Sequence, residues 1–495
     1  QARAGMSESD LQQVIEDTRK LKEMQETPDP PEALATIPSL HLEDLEKRNR
    51  PIPLEVEQAE RTPILYHDLF TNGIVYLDIG FNLYALPQEY LPYVTLFGRA
   101  LLEMGTETED FVRFSQRIGR KTGGIHPATF ASSILQAEDG TAWLFLRGKA
   151  TMSQTEDLLA ILRDMLMTVR LDNQERFRQL VLEEKAGQEA GLIPAGHIVI
   201  NTRLRAHFSE ADWASEQIDG ISYLFFLRQL AEAVDNDWPS VLEKLETMRQ
   251  FLLNRNTMIC NVTLDQHNWQ QFEPTLNDFL VYLPAYESAL QQWTPLFDRI
   301  NEGLTIPAQV NYVGKGANLY RLGYQVHGSV VVIVNYLQTT WLWERIRVHG
   351  GAYGGFCSFD RRSGTFTYLS YRDPNLLSTL ENYDQTSRFL RELELSEDEL
   401  TKAIIGAIGQ LDAYQLPDAK GYTSMIRYLT RDTDDVRQQL RDEILSTTAA
   451  DFRRFGEVLE QVSSSGLIVV LGSQEAIEAA NASRGTNWLQ TLKVL

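Results

Sequence analysis

The chain has 495 residues, 43% apolar and 23% charged, an ordinary globular mixture with apolar mass for a large core and room for roughly three structural units or two large ones. Its 46 Lys and Arg against 68 Asp and Glu leave a net charge of −22, which argues against nucleic-acid binding, because that needs clustered cations to displace phosphate counterions. Two cysteines, Cys260 and Cys357, exclude a disulfide framework and make a reducing compartment the default, while no apolar run approaches the ~20 residues of a membrane span.

The opening QARAGMSESD runs directly into a helix, with no signal or transit segment, as if the chain began inside something larger. Ser7 is the expected N-cap, with Asp10 three residues on completing a capping box. Leu11, Val14, Ile15, Thr18, Leu21 and Met24 then mark one helical face, and Pro28, Pro30 and Pro31 stop the helix. Residues 27–63 read as a charged, proline-punctuated connector, with Pro38, Pro51 and Pro53 blocking regular structure.

A first folded unit is expected from residue 62 to 300. Strands at 64–69 and 74–81 meet at Asn72-Gly73, a hairpin signal. Helices at 88–104 and 109–118 follow, then Gly123-Gly124 and a hairpin over 132–137 and 143–147. Helices at 155–169, 173–190 and 221–234, a short strand at 258–262 and a helix at 268–283 close the unit. From residue 301 the order repeats. Strands are expected at 308–313 and 318–326, with a turn at Gly314-Lys315-Gly316, then a buried apolar segment at 329–335 and a short helix at 340–348. Gly350-Gly351, a hairpin over 356–360 and 366–371, helices from Asn375, Ser396, Tyr422 and Thr433, a strand at 467–471 and a last helix complete it. Because Gly123-Gly124 and Gly350-Gly351 fall at matching places, the chain reads as α+β. It has two homologous domains, each an antiparallel sheet packed with helices, behind a hinge helix and connector at 1–61.

None of the eight histidines sits in H-E-x-x-H or H-x-x-E-H, and no C-x-x-C, G-x-S-x-G or phosphate-binding loop occurs. One segment stands apart: Arg345-Ile-Arg347-Val-His349-Gly350-Gly351-Ala-Tyr353-Gly354-Gly355-Phe356. Glycines on both sides of Tyr353 allow close backbone approach and leave its phenol on a bare loop. A phenol and a guanidinium can each donate a hydrogen bond to a carbonyl oxygen gaining negative charge. The bland alternative is a helix end followed by a glycine-rich turn, with Tyr353 a packed aromatic. Cys260 and Cys357 read as small buried hydrophobes, and Trp341 and Trp343 as core or interface aromatics.

The string WERIRVHGGAYGGFCSFDRRSGTFTYLSYRDPNLLSTLENYD resembles the C-terminal half of presequence proteases, a branch of the pitrilysin/insulinase family of inverted zincin metallopeptidases. So do LFTNGIVY, LLEMGTE, IGRKTGGI, PAQVNYVGKG and KAIIGAIGQLDAYQLPDAKGY, and the similarity spans the chain. The resemblance implies four homologous α+β domains in two halves that close around a peptide chamber, with 62–300 the third and 301–495 the fourth. It places zinc in the N-terminal half and no metal ligand in this chain. It implies that Arg347 and Tyr353 reach across to complete the active site, with Gly350, Gly351 and Gly354 lining the substrate. His349 stands where other members have different residues. The expected partners are the zinc-bearing half and unfolded peptides such as targeting presequences, with no nucleic acid and no membrane. A soluble protein of an organelle matrix or stroma, or of a bacterial cytoplasm, is implied. This half alone is expected to be inactive. Two alternatives stay open: a catalytically silent peptide-binding or scaffold subunit, and a separately encoded subunit that pairs with a zinc-bearing one.

Overall fold

A computed structural model of the chain describes residues 5–485 and 487–495; residues 1–4 of the opening stretch lie outside them. The chain divides into two units, residues 1–46 and 47–495. In the first, helix Glu8–Glu26 begins where Ser7 predicts, and the reciprocal bonds of the capping box are present: the Asp10 N–H donates to Ser7 Oγ at 3.2 Å and the Ser7 N–H to Asp10 Oδ2 at 3.0 Å. None of its side chains is buried, so Val14, Ile15, Leu21 and Met24 form an exposed apolar face.

The second unit holds two six-stranded sheets. The first comprises β1 (Glu55–Ala59), β2 (Thr62–Asp68), β3 (Ile74–Asn82), β4 (Ile125–Ser133), β5 (Gly140–Thr151) and β6 (Met258–Leu264), in the order β1-β2-β6-β3-β5-β4. The other comprises β7 (Glu302–Thr305), β8 (Tyr312–Asn318), β9 (Gly354–Asp360), β10 (Thr365–Tyr371), β11 (Leu467–Gly472) and β12 (Gln490–Lys493), in the order β12-β7-β11-β8-β10-β9. From β2-β6-β3-β5-β4 to β7-β11-β8-β10-β9 the two orders correspond strand for strand. Gly123-Gly124 precedes β4 and Gly350-Gly351 precedes β9, so the repeated glycine pair marks the same edge of both sheets.

Several local expectations differ. The sheets are mixed, because β2 runs parallel to β6, and β7 parallel to both β11 and β12. Residues 74–81 do not pair with 64–69. Asn72 and Gly73 make the left-handed reversal, at φ 55° and 73°, but β6 inserts between the two strands. A turn signal fixes where the chain reverses, not which strand becomes the neighbour, and β6, buried at every residue, needs a partner on both sides. Part of the connector, Glu55–Ala59, forms the edge strand β1. Residues 318–326 are no strand: the Asn318 side chain accepts from the Arg321 N–H at 3.1 Å and Gly323 takes φ 87°, so the chain turns. Gly314-Lys315-Gly316 is the middle of β8 rather than a turn, and residues 329–335 belong to helix Ser329–Thr339.

The faces of the sheets are covered reciprocally. Alternation along the first sheet sends Tyr66, Leu144, Leu146 and Cys260 into the main core and Leu65, Trp143, Phe145 and Ile259 to the other face. There they meet Met425, Tyr422 and Ile426 of helix Pro417–Leu429, a segment that follows the second sheet's hairpin in sequence. Conversely, helix Gly196–Arg205, which precedes that sheet, lays Ile200 and Leu204 on Leu304, Tyr312, Leu369 and Val469. The fit requires glycines: a Cβ at Gly314 would lie 3.2 Å from Ile200 Cδ1, and one at Gly196 would lie 2.6 Å from the Tyr312 ring. Lys315, between Gly314 and Gly316, points to the opposite side, buried and paired with Asp384 at 2.6 Å. Cys260 and Cys357 are free thiols buried as expected; burial pushes Cys260 up to about 12 and raises Cys357 as well, so neither is reactive. Among the described residues no helix is long and apolar enough to cross a membrane.

Candidate active-site loop

The segment singled out in the sequence is a capped reversal between a helix and an edge strand. Residues Trp343–His349 form a π-helical turn in which Ile346 is the one buried side chain. Its end is closed by the Gly351 N–H donating to the Arg347 carbonyl at 3.0 Å and the Ala352 N–H to the Ile346 carbonyl at 3.1 Å. Gly351 takes φ 77°, the left-handed cap that a β-carbon disfavours. At Gly350 a Cβ would fall 2.6 Å from the Ile346 carbonyl oxygen, and at Gly354 it would fall 2.6 Å from the Phe356 ring. Gly350 and Gly351 are therefore needed to build the turn itself, while at Gly354, the first residue of the following strand, the contact is with the end of one exposed side chain.

From there the chain enters β9, tied to β10 by the Tyr353 N–H donating to the Tyr371 carbonyl at 3.0 Å. A polar brace lies beneath. Asn375 Nδ2 donates to the Gly350 carbonyl at 2.6 Å, and the Asn375 N–H donates to Asp373 Oδ1 at 2.9 Å. Thr379 Oγ1 donates to Asp373 Oδ2 at 2.7 Å, while Asp373 exchanges backbone hydrogen bonds with Asn311. Burial pushes the Asp373 carboxyl above its usual range, against the donors from Thr379 and Asn375 that favour its charge.

Tyr353 stands 66% exposed on this base, edge-on to Tyr371 at 6.4 Å. Arg347 is also exposed, its guanidinium carbon 4.1 Å from the Trp343 ring centre. Arg347 and Tyr353 thus occupy the two ends of one capped turn, each on its own aromatic support. Among the described residues neither the Tyr353 hydroxyl nor the Arg347 side chain has a hydrogen-bond or ion-pair partner, which leaves both sets of donors free for a ligand. Trp341, by contrast, is buried and stacked on Phe389 at 4.6 Å.

Two further residues join the site without a sequence signal. Arg372 lies 5.7 Å from the Tyr353 ring centre and 5.5 Å from that of Tyr371. It sits at φ 48°, an unfavourable conformation for an arginine, and its buried Nε has no partner. His197, on helix Gly196–Arg205, lies 4.8 Å from Tyr371 and 5.7 Å from Phe356; burial lowers its pKa and favours the neutral ring. The arrangement suits hydrogen-bond donation to peptide carbonyl oxygens beside an apolar aromatic surface. It does not suit a metal ion. Arg347 and Arg372 would repel a dication, and among the described residues no three His, Cys, Asp or Glu side chains gather where they could hold one.

Comparison with known proteins bears on the family and the fold of the chain. Residues 1–230 match the family model for the region associated with peptidases of family M16, subfamily C, and residues 301–474 match "PreP C-terminal domain". Presequence protease 1, chloroplastic/mitochondrial, of Arabidopsis thaliana is 45% identical over 494 residues, covering 100% of this chain and 46% of its own length. Protein HypA of Clostridium perfringens is 30% identical over 473 residues, covering 95% of this chain and 48% of its own. The chain therefore spans about half the length of the curated relatives it matches. In fold it is similar to the peptidase M16 inactive domain from Pseudomonas fluorescens, with a TM-score of 0.59 at 13% identity, covering 86% of this chain and 98% of that one. The chain belongs to the presequence-protease family of M16 peptidases and corresponds to the C-terminal half of its members.

Proposed function

We propose that this chain is the jaw without metal in a two-jaw zinc endopeptidase that degrades unfolded peptides such as targeting presequences. Residues 62–300 and 301–495 would be the third and fourth domains, and 1–61 the hinge and connector. The observation that carries the reading is an exposed phenol and an exposed guanidinium, neither with a hydrogen-bond or ion-pair partner among the described residues, held at the two ends of one braced turn. On closure Arg347 and Tyr353 would donate to the carbonyl oxygen of the scissile peptide, and Gly350, Gly351 and Gly354 would let the substrate backbone approach. Zinc, and the base that activates water, would belong to the N-terminal half; the cationic surroundings of Tyr353 support that division. The uncovered apolar face of helix Glu8–Glu26 is in keeping with a hinge partner in that half. A closed chamber admits unfolded peptides, and the net charge of −22 suits Arg-rich presequences. A matrix, stroma or bacterial cytoplasm is the location in keeping with this substrate.

Reconstitution tests the reading. The chain alone is expected to cleave nothing, and mixing it with a zinc-bearing N-terminal half is expected to restore hydrolysis of a presequence peptide. Restored hydrolysis that is indifferent to both Tyr353→Phe and Arg347→Ala would make the chain a binding or scaffold subunit instead.

A further inference from the structure

A second concave feature lies at the other end of β9. The strand runs from Gly354 to Asp360, so at ~3.3 Å per residue its far end is about 20 Å from the Tyr353 loop. There a cavity of about 560 Å³ opens between the β9–β10 turn and helices Ser329–Thr339, Pro417–Leu429 and Asp434–Leu445. That is the size of a small-molecule site. Its lining includes the aliphatic side chains of Val330, Val334, Ile426 and Leu440 and four arginines, Arg361, Arg362, Arg427 and Arg437, beside Asp360 and Asp432.

These charges do not balance. Asp432 pairs with Arg361 through Oδ2, while its buried Oδ1 has no hydrogen-bond partner among the described residues. Asp360 pairs with Arg205 at 2.7 Å, and Arg437 is matched by Asp434 at 3.3 Å. Arg362 donates to the neutral Ser132 hydroxyl at 3.0 Å. Among the described residues the Arg427 side chain has no hydrogen bond or ion pair. Burial, and next the neighbouring Arg437 charge, hold Arg427 down to about 10, against the nearby carboxylates of Asp432 and Asp434 that favour its charge. In a chain with 22 more acids than bases, a pocket lined by four arginines and two aspartates is a local reversal of sign.

We propose that this cavity binds a carboxylate with an apolar body. Arg427 pairs with the carboxylate, Arg362 supplies the second donor, and the body lies along Val330, Val334, Ile426 and Leu440. A planar guanidinium matches a carboxylate in two parallel hydrogen bonds. A phosphate dianion has acceptors on all sides and no apolar body to set against Val330, Val334, Ile426 and Leu440. Two sources share the fitting chemistry, the C-terminus of a peptide and a free fatty acid.

Direct binding to the whole chain tests this without any peptidase activity, so the outcome is separate from that of the reconstitution. Calorimetric titration with N-acetyl-leucyl-phenylalanine, its C-terminal amide and octanoate is expected to show binding of at least one acid. The amide should bind at least tenfold more weakly than the dipeptide acid if that acid is the ligand. Arg427→Gln and Arg362→Gln, each checked for native circular dichroism, should weaken acid binding at least tenfold. Tyr353→Phe should leave it unchanged. Binding of the dipeptide acid alone assigns the pocket to peptide termini, and binding of octanoate alone assigns it to fatty acids; either supports the proposal. It is overturned if neither acid binds at ~5 mM, where even a 1 mM dissociation constant is visible. It is overturned equally if acid and amide bind alike, or if folded Arg427→Gln binds as well as wild type. Should Arg427→Gln fail to fold, Arg362→Gln and the acid–amide comparison decide.

Discussion

Tyr353 and Arg347 stand on a turn that is braced from beneath. The turn is held by Asn375 against the Gly350 carbonyl, and Asn375 by the buried Asp373. In the reconstituted enzyme Tyr353→Phe and Arg347→Ala are each expected to lower turnover by an order of magnitude or more, with unchanged thermal unfolding, because an oxyanion-type donor is worth ~10²–10³ in rate. Asn375→Ala should behave differently. It removes a hydrogen bond worth about 1 kcal/mol, so unfolding shifts slightly while kcat falls with KM nearly constant. Steady-state kinetics beside urea unfolding separates the two patterns. At this scale the glycine-flanked loop around Tyr353 was legible because its spacing is local, while the pairing of Tyr353 with Arg347 came from the family resemblance. Nothing in the sequence pointed to Arg372, whose left-handed backbone follows a strand end, or to His197, which arrives from a helix about 150 residues earlier.

Among the elements, local signals were legible and pairings were not. Ser7 and Asp10 cap their helix as read, and the hairpin of β9 and β10 forms where residues 356–360 and 366–371 were expected to pair. Asn72-Gly73 also reverses the chain, yet β6, nearly 200 residues on, takes the neighbouring position that the reversal offered to β2. The glycines beside Lys315 read as a turn because glycine has two uses, and only the approach of Ile200 and Leu204 reveals which applies here. The counterpart contact is Gly421, where a Cβ would sit 1.8 Å from Thr263 Oγ1. Gly421→Ala is expected to destabilise the fold by about 1–3 kcal/mol through overpacking. Adding Thr263→Ala should recover part of that loss, and equilibrium unfolding of the four species gives the coupling directly.

For the molecule as a whole, the two sheets are joined by what each receives from the other part of the chain. Arg203 on helix Gly196–Arg205 grips Glu302 of β7 with two hydrogen bonds of 2.7 Å. Burial by itself raises the Glu302 carboxyl, but the hydrogen bonds and charges of Arg203 and His207 outweigh it and hold the group down to about 2, from an ordinary 4.5. A folded value below the unfolded one means the stabilisation is complete above about pH 4.5 and is lost as pH falls toward 2. Between pH 7 and pH 3 this one group should cost roughly 2 kcal/mol. Urea midpoints at both pH values should show that loss in wild type and a smaller one in Glu302→Gln. The exchange of helices has a temporal consequence as well. Helix Gly196–Arg205 leaves the ribosome ~100 residues before β7 and β8, the first strands of the sheet its apolar side rests on. At ~5–20 residues per second it waits roughly 5–20 seconds with Ile200 and Leu204 unsheltered. Nascent chains of this protein should accordingly engage a holding chaperone during that interval, and translation that stalls between the helix and β7 should send them to aggregation.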